Sequence, residues 1–176
     1  MTVNKQAIFL ALLFSCTLAS RSVASSERFT AALPSEQWEW EKTPPAGVPA
    51  QIMHLYLKRK GSGSQILLRA ARKGDFGVPT YFEPEDDEFA YLVKLIHKGS
   101  YLGEITLSLT NPALAQSRAF NFSVQQPPLG EMLDLVVMQK GKDMIIIELI
   151  TTPKDYDKDL GDLKKFLSGL QDKGAK

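Results

Sequence analysis

The chain has 176 residues, 44% of them hydrophobic and 23% charged, with a formal net charge of +1. That length favours one domain, and the composition is that of a globular protein. The near-zero net charge gives no electrostatic case for a nucleic-acid partner or an acidic membrane.

The N-terminus differs in kind from the rest. Lys5 supplies a short positive region, Ala7 to Leu18 is almost unbroken in apolar character, and Ser22-Val23-Ala24 puts small residues where a signal peptidase reads them. This three-part pattern predicts a secretory signal peptide over residues 1–24, cut before Ser25, and a single domain over 25–176. The apolar run is too short to anchor the chain across a bilayer. Cutting there removes Lys5, Arg21 and no acid, which leaves 19 basic and 20 acidic residues and a formal net charge of −1.

Cys16 is the one cysteine and lies inside this leader. Leu13-Phe14-Ser15-Cys16 also resembles a bacterial lipobox, in which the cysteine is lipidated. Phe14 is bulky where that box prefers a small residue. Both readings stay open: a periplasmic or secreted protein cut near Ala24, or a lipoprotein attached through Cys16. Cleavage at Ala24 leaves no cysteine, so disulfides are excluded and the core must suffice.

In chain order, Phe29 to Pro34 reads as a first strand. Trp38-Glu39-Trp40-Glu41 has the period of a half-buried strand. Its tryptophans suit either a stacking ledge or one packed face, and aromatics in strands favour the packed face. Thr43 to Pro49 is a proline-rich loop. Gln51 to Arg59 and Gln65 to Arg72 alternate around Gly61-Ser62-Gly63-Ser64 and predict a hairpin. Lys58, Arg59, Lys60, Arg69, Arg72 and Lys73 gather near it, as a patch for an anion or as a solvated edge that resists aggregation.

Lys73 to Phe82 predicts a loop. Pro84 and the acids Glu85 to Glu88 then mark a helix start, with Phe89, Leu92, Val93 and Ile96 as its apolar stripe and Gly99 as its stop. The acid run Glu83 to Glu88 lacks the spacing of an EF-hand loop. Ile105 to Leu109 and Phe120 to Val124 alternate as strands. Asn121-Phe122-Ser123 matches a glycosylation sequon.

The strongest pattern is the last. Leu135 to Met138 is an apolar strand, Gln139 to Lys142 a turn, and Asp143 to Ile150 a second strand whose continuous Met144 to Ile147 run suits the centre of a sheet. A helix over Thr151 to Leu170 follows, with Thr152 as N-cap. Tyr156, Leu160, Leu163, Phe166, Leu167 and Leu170 form its inner face. Lys154, Asp157, Lys158, Asp162 and Lys165 are expected to point outward.

No stretch carries a catalytic signature. His54 and His97 are far apart, no Gly-x-Ser-x-Gly elbow occurs, and no glycine loop precedes a lysine and a helix. No catalytic, cofactor-binding or metal-ligating residue is assigned, and no cofactor is expected. Paired carboxylates stay open, because their pairing is spatial.

The order of elements, with Phe29-Thr30-x-x-Leu33-Pro34, Phe89-Ala90-Tyr91-Leu92-Val93 and Ile150-Thr151-Thr152-Pro153-Lys154-Asp155-Tyr156, resembles the superfamily of PsbP and the Ran-binding import factor Mog. That superfamily also holds exported bacterial proteins of unknown role. The resemblance spans Phe29 to Leu170. It implies an α+β fold: a twisted, mainly antiparallel sheet flanked by helices on both faces, an α/β/α sandwich. It also implies a protein that works by contact with an unidentified protein partner rather than by catalysis. The alternative is a small-ligand carrier or a carboxylate-dependent enzyme of the cell envelope. Nucleic acid is not expected as a partner, and membrane attachment is expected only through a lipid on Cys16.

Overall fold

A computed structural model describes residues 23–48, 50–71, 99–139 and 144–174. Ten strands and one α-helix run through them: β1 (Val23–Ser25), β2 (Phe29–Ala32), β3 (Trp38–Trp40), β4 (Met53–Arg59), β5 (Gln65–Ala71), β6 (Ser100–Ile105), β7 (Arg118–Gln126), β8 (Gly130–Gln139), β9 (Met144–Thr151), α1 (Tyr156–Gly169) and β10 (Gln171–Asp172). A 3-10 turn at Pro112–Leu114 precedes β7.

Seven strands form one antiparallel sheet in the order β3-β4-β5-β9-β8-β7-β6. β9 takes the middle place, as its unbroken Met144 to Ile147 run requires. A strand between two others, with both faces covered, has no use for polar alternation. β1, β2 and β10 make a second sheet of three strands, with β2 in its centre.

The main core fills the space between the large sheet and α1. Leu57, Leu68, Leu135, Val137, Ile147 and Leu149 meet Leu163, Phe166 and Leu167 of the helix there, with Phe29 and Trp38 at its margin. Fully burying a leucine or phenylalanine side chain contributes about 1.5–3 kcal/mol. Residues of opposite parity, Phe120, Phe122, Val136, Met138 and Ile146, form a second cluster on the far face.

Three expectations need correction. The helix begins at Tyr156, not at Thr151, and Asp155 rather than Thr152 stands at its N-cap. Thr152 instead donates from Oγ1 to Asp155 Oδ2 at 2.8 Å, and its carbonyl accepts from Asp155 N at 3.0 Å, so the two close a turn ahead of the helix. The strand expected over Ile105 to Leu109 ends at Ile105, because β6 starts at Ser100. Leu107 and Leu109 still pack inward, so the alternation is real although no ladder forms. Finally, the one α-helix among the described residues lies on a single face, which does not support helices on both. The helix expected from Pro84, the loop before it and the leader up to Ser22 lie outside the described residues.

α1 is stopped from a distance. Asn111, just before the 3-10 turn, donates from Nδ2 to the carbonyls of Leu167 and Leu170, each at 2.8 Å. Two of the carbonyls that a helix C-terminus leaves without partners are thereby satisfied.

Candidate functional site

Polar groups concentrate where α1 crosses the ends of β3, β4 and β9. Asp159 is wholly buried. Its two oxygens are held separately: Arg59 Nη1 donates to Oδ1 at 2.9 Å, and Thr151 Oγ1 donates to Oδ2 at 2.6 Å. Arg59 also lies 3.3 Å from Asp155 Oδ1, and Ser64 Oγ is 3.2 Å from Thr151 Oγ1. One turn further on, Asp162 accepts from Trp38 Nε1 at 2.9 Å, Ser35 Oγ at 3.1 Å and Lys165 Nζ at 2.8 Å.

Asp162 was expected to face solvent, yet only 4% of it is exposed. Trp38 accounts for the inversion. Its ring sits in the core and its N–H needs an acceptor there, and a buried indole without one would be costly. Burial raises the affinity of Asp162 for a proton. The donors from Lys165, Trp38 and Ser35 outweigh it and hold the carboxyl below the usual value. Arg59, Trp38 and Ser35 therefore tie α1 to strands far away in sequence. Each carboxylate in this cluster is already engaged by the protein's own donors.

A second polar group lies on the opposite face of the sheet. Glu148 on β9 pairs with Arg69 on β5, and both are buried. Asp134 on β8, also buried, stands diagonal to Glu148, since Asp134 pairs with Ile150 and Val136 with Glu148. Sequence reasoning had singled out no carboxylate pair. The signal was a lone acid inside each apolar run, Leu133-Asp134-Leu135 and Ile147-Glu148-Leu149.

The residues singled out earlier scatter. Trp38 is buried and Trp40 packs against the same core, so they form a packed face and not a ledge. Three of the basic residues of the hairpin are paired from within: Lys58 reaches Glu41 at 3.2 Å, Arg59 meets Asp155 and Asp159, and Arg69 meets Glu148. Lys60 donates to the Glu36 carbonyl. His54 stacks edge-on to Phe29 with ring centroids 4.9 Å apart. Asn121 of the sequon lies inside β7 and accepts from Tyr156 Oη at 3.0 Å. At the entry to the proline loop, Glu41 accepts from the backbone N–H groups of Lys42 and Thr43. His97, Arg72, Lys73 and the acids Glu83 to Glu88 lie outside the described residues.

Among the described residues no group of three or more His, Cys, Asp or Glu side chains could hold a metal ion. No helix among them is long and apolar enough to cross a membrane. Three large apolar side chains stand out in solvent: Tyr101 and Leu102 on β6, and Leu129 in the β7–β8 turn. Among the described residues β6 is the outermost strand of the large sheet, bulged between Tyr101 and Gly103.

No protein-family model matches the sequence, and a search of curated proteins finds no match. Among solved structures, that of cyanobacterial PsbP (CyanoP) from Synechocystis sp. PCC 6803, determined in solution, is similar in fold. The TM-score is 0.54 at 12% sequence identity, covering 93% of this chain and 98% of that one. At such an identity it is the architecture that is shared, and the chain has the PsbP-like fold.

Proposed function

We propose that the protein is a non-catalytic, exported, PsbP-type protein that acts in the periplasm by contact with another protein. The observation that carries this reading is the contrast between its polar interior and its apolar edge. Asp159, Asp162 and Glu148 are each occupied by donors of the chain itself, as structural ion pairs are. Tyr101, whose ring leans on Phe122, and Leu102 are both about half exposed on β6, the outermost strand among the described residues. Tyrosine is among the residues that dominate binding energy at protein interfaces, and an edge strand can add a partner's strand. The PsbP-like fold supports the same reading. A small-ligand carrier would need an open pocket with convergent polar groups, whereas the carboxylates under α1 are taken up by Arg59, Thr151, Trp38, Ser35 and Lys165.

The test is crosslinking in intact cell envelopes followed by capture. The wild type is expected to retain one partner in stoichiometric amount. A Tyr101→Ala/Leu102→Ser variant should lose it while keeping its melting temperature. Absence of any partner, together with turnover of a small substrate that depends on Asp134 or Glu148, would overturn the proposal. Mass spectrometry of the mature N-terminus tests the leader separately. Ser25 as the first residue fits cleavage after Ala24, and a diacylated Cys16 fits the lipoprotein.

A further inference from the structure

The segment from Thr152 to Gly174 holds five lysines and five aspartates and is neutral in sum. The fold separates the two signs. Asp155 and Asp159 turn to Arg59, Asp162 to Trp38 and Ser35, and Asp172 to the forked guanidinium of Arg28 at 2.9 Å on both prongs. Lys154, Lys158, Lys164, Lys165 and Lys173 are all exposed, with Asp157 the one acid of the segment among them. Lys165 reaches Asp162 yet keeps 64% of its side chain in solvent. The outer side of α1, 14 residues and so about 21 Å long, shows Lys158, Lys164 and Lys165 against one acid, Asp157, with Lys154 just before the helix and Lys173 just after β10: a basic ridge on a chain of almost no net charge.

We propose that this ridge docks the domain against an anionic lipid surface. Its composition separates that occupant from an acidic protein. Protein interfaces are depleted in lysine and built around aromatic and arginine anchors. The five cations here are all lysine. Lysine is a strongly hydrated point charge on a flexible stem, suited to a diffuse layer of mobile phosphates. The apolar side of α1 is committed to the core through Leu163, Phe166 and Leu167, so nothing of it is left to insert into the bilayer. Attraction is electrostatic, reversible and weakened by salt. The inference does not depend on the protein-contact reading, which concerns β6.

The experiment is vesicle sedimentation with the processed protein. Vesicles of phosphatidylcholine alone are compared with vesicles rich in phosphatidylglycerol, at low and physiological salt. Binding is expected to the anionic vesicles alone, and weaker at the higher salt. A Lys154→Gln/Lys158→Gln/Lys164→Gln variant should bind roughly 100-fold more weakly, from the strength of single lysine contacts with an anionic leaflet. Its melting temperature should not change, and Lys60→Gln, in the β4–β5 turn, should bind as the wild type does. Equal binding to neutral vesicles, no binding to either, or a triple variant that binds undiminished would overturn the proposal. Ridge-dependent binding to polyglutamate without binding to vesicles would also overturn it, in favour of an acidic protein.

Discussion

Replacing Arg59 with methionine tests whether the cluster under α1 is structural. The change keeps most of the stem and removes the charge. Asp159, wholly buried, would keep Thr151 as a donor but lose its one cationic partner. Removing one member of a buried pair strands the other, at a cost of about 3–5 kcal/mol. Asp155 is partly exposed and also holds Thr152, so it adds little. For a chain of this size the loss corresponds to a fall in Tm on the order of 10 °C. Urea unfolding followed by far-UV circular dichroism at neutral pH gives the number. Arg59→Met/Asp159→Leu removes both charges and should regain most of the loss, because a packed apolar pair is often as stable as a buried ionic one. Lys58→Met, which breaks a half-exposed pair, should move the midpoint little. The reasoning is refuted if Arg59→Met costs under about 1 kcal/mol, or if the double variant is as unstable as the single one.

Trp38→Phe keeps an aromatic ring in the core but removes the donor to Asp162 and part of the buried volume. It should cost at least about 1.5–3 kcal/mol, the worth of a hydrogen bond to a charged group, with the lost packing adding to it, read as a shift of the urea midpoint with the slope unchanged. Gly99→Ala should destabilise by about 1–3 kcal/mol. A Cβ there would stand 2.7 Å from the Ser123 carbonyl oxygen, a backbone atom that cannot swing aside; a melt equal to the wild type would show that the β6 entry is looser than described. Acid should weaken the fold through Asp162 and Asp172. Burial pushes Asp172 up, but the Arg28 fork and the Gly174 amide outweigh it and hold its carboxyl below the usual value, as with Asp162. A depressed folded-state pKa gives stability that is present above the unfolded value and is lost as pH falls through the folded one. Midpoints should thus be level near neutrality and fall below roughly pH 4. Asp162→Asn/Asp172→Asn should flatten that fall, and an unchanged acid slope would assign it elsewhere.

How much the sequence disclosed depended on how far each pattern ran. The β8–β9 pair and α1 were legible because long apolar runs and a 3.6-residue stripe leave few other arrangements. β1 and β10 were not, since strands of three and two residues carry no period. Asp159 and Asp162 were missed because charge usually means solvent. Yet Asp159 stands four residues before Leu163, and Asp162 four before Phe166, which places both on the inner stripe. The indole of Trp38 and the guanidinium of Arg59 were the missing half of that signal. Sequence shows each of them, but only the fold brings them together. The basic ridge escaped for a related reason: a sum of charges hides their separation.

The pairing of β2 with β10 has a mechanical meaning. The two strands run antiparallel, and beyond them Lys173 N still donates to the Arg28 carbonyl at 2.8 Å. The chain thus enters β2 and leaves β10 at the same end of this ladder. A pull applied across Arg28 and Lys173 would open this short ladder one bond at a time, like a zip, without shearing the seven-stranded sheet. The small sheet is then a mechanical fuse. Under tension in an optical trap it should yield first and at low force, and close again on release while the large sheet and α1 stay folded. The Arg28–Asp172 fork sets the force at which it lets go.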